Sequence, residues 1–188
     1  MATAPGEDDV SLPMGKRIER VVKTDAVAAI VTMLQALPGS ASDKLEKPTG
    51  PVILTVEGKI ARTNAGKEAR FDRKMLEALG MHTLKTSNPF DTGIHTYEGI
   101  RISDLLKKVG ADGDTLVAYA LDGYAVEIPV ADTVKYPAML AMVSNGKVMT
   151  VRNKGPIWVV YPIDKYPELK DEKYSSRSIW QLERLIVE

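Results

Sequence analysis

Two short stretches of this chain gather residue types that could grip a small ligand. In Val151-Arg152-Asn153-Lys154-Gly155-Pro156-Ile157-Trp158, two cations, an amide, a Gly-Pro bend and an indole follow one another closely. Arg152 and Lys154 can meet a phosphate, Asn153 offers paired donors and an acceptor, and Trp158 offers a stacking face. In Ser175-Ser176-Arg177-Ser178, hydroxyls surround a guanidinium, the composition of a phosphate cradle. Both stretches can equally be strand-edge loops, with Arg152 and Arg177 in surface salt bridges and Trp158 in the core.

Much other chemistry is excluded by composition. The chain has no cysteine, which removes disulfides, thiolate zinc sites, iron–sulfur clusters and a cysteine nucleophile. His82 and His95 are its two histidines, one in a strand pattern as a structural residue and one in a loop, so no histidine-rich metal site is expected. The carboxylates Glu168, Asp171 and Glu172 alternate with Lys165, Lys170 and Lys173 and read as a solvated loop face. No nucleophile elbow accompanies the serines, and no catalytic or metal-binding residue is assigned. The 25 basic residues balance the 25 acidic ones, which argues against a nucleic-acid partner.

The elements that would position these residues are mostly strands. At 188 residues, with 44% hydrophobic residues, the chain can bury one core. Strands are expected at Pro51 to Ile60, Met81 to Ser87, Thr115 to Leu121, Tyr124 to Val130, Ala138 to Ser144, Val148 to Arg152, Ile157 to Tyr161 and Ile179 to Val187. Asp122-Gly123 and Asn145-Gly146 are hairpin turns. Asp72 stands as the N-cap of a short helix closed by Gly80, and Ser103 as the cap of a helix from Asp104 to Val109 ended by Gly110. Asn88 to Gly93 and Pro162 to Ser178 read as surface loops.

Ahead of this domain, Lys16, Arg17, Arg20 and Lys23 precede the apolar run Ala26 to Leu37, then Pro38-Gly39 and Ser40-Ala41-Ser42. That order is expected of a secretory leader from Met14 to Ser42, within residues 1–42, leaving a single domain at 43–188 outside the cytoplasm. The run is too short to span a membrane. An amphipathic helix through Val27, Ile30, Val31, Leu34 and Leu37, in a cytoplasmic protein, is the other reading.

The series Tyr97-Glu98-Gly99-Ile100 with Leu105-Leu106, Asp122-Gly123-Tyr124 leading to Ile128-Pro129, Asn153-Lys154-Gly155-Pro156-Ile157-Trp158-Val159-Val160-Tyr161-Pro162, and Ser175-Ser176-Arg177-Ser178-Ile179 resembles the molybdopterin-binding domain of the sulfite oxidase superfamily. The likeness covers Pro48 to Val187. It implies an α+β fold: a strand-rich, barrel-like mixed sheet with a few short helices. The family's metal-ligating cysteine maps onto Thr86 or Ser87, whose hydroxyls replace a soft thiolate poorly. For the cofactor, the resemblance implies contacts from Asn153, Lys154, Ser175, Ser176 and Arg177, with Arg152 nearby. Trp158 stands where enzymatic members often carry arginine, which would favour a flat, metal-free pterin over the phosphorylated molybdenum cofactor.

The resemblance thus implies an exported, non-enzymatic pterin-binding sensor. Its partner would be a membrane-bound cyclic-dinucleotide enzyme, a diguanylate cyclase or phosphodiesterase, or a sensor kinase. The alternatives are a molybdenum-dependent oxidoreductase with a non-cysteine ligand, and a ligand-free interaction module.

Overall fold

A computed structural model describes residues 45–188. The expected leader, Met14 to Ser42, lies outside the described residues. The described chain is α+β, with strands in two five-stranded sheets. The first sheet has the order β2-β1-β10-β5-β6, from β1 (Val52–Gly58), β2 (Ala69–Asp72), β5 (Thr115–Ala120), β6 (Ala125–Pro129) and β10 (Leu182–Val187). Its β1–β10 pair is parallel, Thr55 opposite Arg184, and its other pairs are antiparallel. The second sheet runs β3-β4-β7-β8, from β3 (His82–Asn88), β4 (Asp91–Arg101), β7 (Met139–Ser144) and β8 (Lys147–Val148), with β9 (Trp158–Val160) also paired to β7. Neither sheet closes on itself, which corrects the barrel-like expectation: an open edge remains on each.

Alternation makes the strands bury one face. In β5, Leu116, Ala118 and Ala120 point inward while Thr115, Val117 and Tyr119 are half-exposed. They join Leu54, Val56, Ile128, Leu182 and Leu185 in a core that also receives α2 (Ile102–Val109). That helix buries Ile102, Leu105, Leu106 and Val109, an i, i+3, i+4, i+7 stripe. Each such aliphatic side chain contributes about 2 kcal/mol on burial. Gly110 ends the helix in the left-handed conformation, φ 62°. Its N-cap is Arg101 rather than Ser103, with no side-chain capping bond, because the helix begins directly where β4 ends.

Helix α1 (Arg73–Glu77) is capped as expected: Asp72 accepts from Met75 N at 2.9 Å, and its other oxygen accepts from Thr49 N and Gly50 N. Other elements depart from expectation. The strand expected from Val148 to Arg152 is instead the short β8, followed by a 3-10 turn at Val151–Asn153. The loop expected from Asn88 to Gly93 is mostly strand, Asn88 ending β3 and Asp91 to Gly93 opening β4, which leaves Pro89-Phe90 as the turn. The chain after Ile128-Pro129 turns into α3 (Val130–Lys135). The stretch from Pro162 is not merely a surface loop: it holds a short 3-10 turn and α4 (Glu172–Arg177), and it buries Leu169 and Tyr174.

Candidate functional site

A cavity of about 430 Å³ is lined from both halves of the fold. Phe90 comes from the β3–β4 turn, Ala120, Asp122 and Tyr124 from β5 and the turn after it, Glu172, Ser175 and Ser176 from α4, and Ser178, Ile179 and Trp180 from the approach to β10. Asp171 starts α4 by accepting from Lys173 N, so Glu172 lies in the first turn and the two serines in the next. Ser178 ends it, its hydroxyl donating to Tyr174 O. Trp180 is 37% exposed, and Phe90 meets it edge-on at 4.8 Å between ring centroids. The Asp122-Gly123 turn is held by Asp122 Oδ1 accepting from Tyr124 N, which leaves Tyr124 half-exposed at the mouth.

Of the residues expected to bind a ligand, Ser175 and Ser176 line this cavity. Trp158 does not, and its role as a stacking surface is corrected. It is 2% exposed, its Nε1 donates to Ser178 O at 2.9 Å, and it packs against Tyr97, Phe90 and Trp180 with Lys154 over its ring. Beside it lies a crevice of only about 10 Å³, too small for a heterocycle. The indole is core because β9, which carries it, pairs with the buried strand β7.

The remaining expected residues lie away from this cavity. Lys154 pairs with Asp91, and Arg177 with Asp132 at 2.7 Å. Asn153 Oδ1 accepts from Thr150 N and Oγ1, closing the turn before the cis Gly155–Pro156 peptide. Arg152 is exposed on that turn. Thr86 is buried at 1% exposure, with Asp164 N 3.5 Å from its hydroxyl. Ser87 donates from both its backbone N–H and its hydroxyl to the Asp164 carboxylate, at 2.6 and 2.7 Å. Those bonds, the backbone one foremost, hold the Asp164 carboxyl below its ordinary value.

His82 sits 3.5 Å from Asp104. His95 is more than an exposed loop residue: it stacks on Tyr97 and meets Asn145. No group of three or more His, Cys, Asp or Glu able to hold a metal occurs among the described residues. Sequence reasoning overlooked Trp180, Phe90 and Glu172 as lining residues. A signal was present in Trp180, a second indole two residues after the hydroxyl-rich stretch.

A family model described as "Oxidoreductase molybdopterin binding domain" matches residues 72–165. No curated protein matches the sequence. Among solved structures, the sulfane dehydrogenase SoxCD from Paracoccus pantotrophus is similar, with a TM-score of 0.52 and 17% identity over 71% of this chain and 37% of that chain. At that identity the likeness is one of fold. The chain thus spans well under half of that protein's length. The family match overturns the expectation of a non-enzymatic sensor serving a signalling partner, because the family is described as an oxidoreductase domain. Among the described residues no helix is long and apolar enough to cross a membrane.

Proposed function

The chain belongs to the oxidoreductase molybdopterin binding domain family, and from that premise we propose that it is an oxidoreductase domain that holds a pterin between its two sheets without a protein ligand to a metal. The observation that carries this reading is the cavity of about 430 Å³ walled by Trp180, Phe90 and Tyr124 and bordered by Ser175 and Ser176. Its size and its mixture of aromatic walls with a few hydroxyls suit a flat bicyclic ligand. Trp180 and Phe90 would cover the ring and keep water from it, and the two serines would exchange hydrogen bonds with its heteroatoms. A bound pterin supplies a two-electron redox centre, which the protein orients.

The donor set does not suit a metal anchored by the protein. Thr86 and Ser87, expected at the ligand position, offer hydroxyls of high pKa, one buried and one engaged with Asp164. Export of the domain is part of the proposal and rests on the basic, apolar and small-residue order of residues 14–42.

Chain purified gently from a host that makes molybdenum cofactor should release one pterin per chain on acid unfolding, read by mass spectrometry. Metal analysis of the same sample should find molybdenum far below one atom per chain. The loaded chain, after its pterin is reduced with dithionite and the excess reductant removed, should pass the electron pair held by the reduced pterin to an artificial electron acceptor, leaving the pterin oxidised. The reading fails if no pterin is released and added neopterin gives no saturable quenching. Stoichiometric molybdenum would replace it with a metal-dependent reaction.

A further inference from the structure

The charges around the cavity say more about what can enter it. Asp122 and Glu172 line it, and no lysine or arginine does. Neither carboxylate has an ion-pair partner within 4.0 Å among the described residues. Of the cations around it, Lys154 is held by Asp91, and Arg177 by Asp132 while it lies over the Tyr174 ring, whereas Lys170 lines an adjoining cavity that shares Ser175 and Ser178. Lys173 lies over Tyr174 and 4.0 Å from Asp171. A phosphate brought into this space would lose water, find no cation on the walls and face two like charges, an arrangement that selects against it.

A carboxylate beside aromatic walls suits the opposite kind of ligand. A 2-amino-pyrimidinone edge presents two parallel N–H groups, which a carboxylate accepts in a fork, and any positive charge on the ring is drawn to the aromatic faces. We infer that this cavity takes a flat nitrogen heterocycle with a guanidine-like N–H edge and no phosphate, with Asp122 and Glu172 as the selecting groups and Trp180 as the platform. This rests on the proposed pterin reading and narrows it to ligands without a phosphorylated side chain.

The test uses the full chain and three probes in fluorescence titrations: neopterin, neopterin monophosphate, and 2-aminobenzimidazole, a flat bicycle with the same edge but no pterin ring. Neopterin should saturate at one per chain and bind at least ten-fold more tightly than its monophosphate. Asp122→Asn with Glu172→Gln should shrink that gap below three-fold, and circular dichroism checks that the variant is folded. Each single variant serves if the double variant does not fold, and each should narrow the gap in part.

Equal or tighter binding of the monophosphate overturns the selection while leaving the pterin reading intact, as does a gap that the variants leave unchanged. Saturable binding of 2-aminobenzimidazole without neopterin would support the edge recognition and overturn the pterin reading. Binding of none of the three overturns both.

Discussion

Trp158 and Trp180 lie 6.5 Å apart between ring centroids, yet they do different things because only Trp158 has its N–H bonded to a backbone oxygen inside the fold. Trp158→Phe keeps most of the packing but leaves the Ser178 carbonyl without its donor, so it should cost about 1–3 kcal/mol in denaturant unfolding. Trp180→Ala should leave stability within about 1 kcal/mol, because that side chain is partly in solvent, and should weaken neopterin binding by about 0.5–1.5 kcal/mol. The reverse pattern in the two titrations would place the ligand at Trp158 instead. Tyr97 gives a pH signature. Burial pushes its phenol up to about 12, and the hydrogen bond donated by Asn88 pulls the other way. Since its pKa is raised on folding, its contribution is complete below about pH 10 and is lost as pH rises through about 12. Phenolate absorbance and unfolding should therefore rise together in that interval, and Tyr97→Phe should remove part of the alkaline loss.

At the scale of elements, the capped helix and the strand crossing carry separate predictions. The Asp72 carboxyl is held below its ordinary value chiefly by Met75 N–H and then by Gly50 N–H. Its contribution is present above the usual carboxylate value of about 3.9 and is lost as pH falls through the lower folded one. Stability measured across that acid range should fall in the natural chain and fall less steeply in Asp72→Asn. Gly99 lies at the irregularity where β4 meets β7, and a Cβ there would stand 2.0 Å from Leu140 O. Gly99→Ala should therefore destabilise by about 2 kcal/mol, seen as a lower denaturation midpoint. Elements defined by strong local signals were legible in the sequence: the Asp72 cap, the helix before Gly110 with its stop, and both hairpin turns. The first part of β4 was not, because Asp91 to Ile94 are all exposed and show no alternation, and only pairing with β3 makes them a strand. Helix α4 was hidden for a related reason, since its short polar sequence is ordered by burial of Tyr174.

For the whole molecule, the family and the α+β class were legible because several motifs in order carry them, whereas the cavity was not. It is assembled from Phe90, Tyr124 and Trp180, which the sequence holds far apart and which folding brings to a common face. The sequence also marked Trp158 as unusual without showing on which side of the sheet its ring would lie. A ligand touching both sheets should stabilise them together. Neopterin at about one hundred times its dissociation constant should add about 2.7 kcal/mol to unfolding while the transition remains single. Two separated transitions, with only one shifting, would show that the ligand contacts one sheet alone. The place of β10 between β1 and β5 also bears on how the chain is made. Ribosomes deliver this strand after every other described one, so β1 and β2 must wait through more than a hundred residues of synthesis before the parallel neighbour of β1 exists. Until then the apolar faces of the first sheet stand open, and a nascent chain in that interval is a natural client for chaperones.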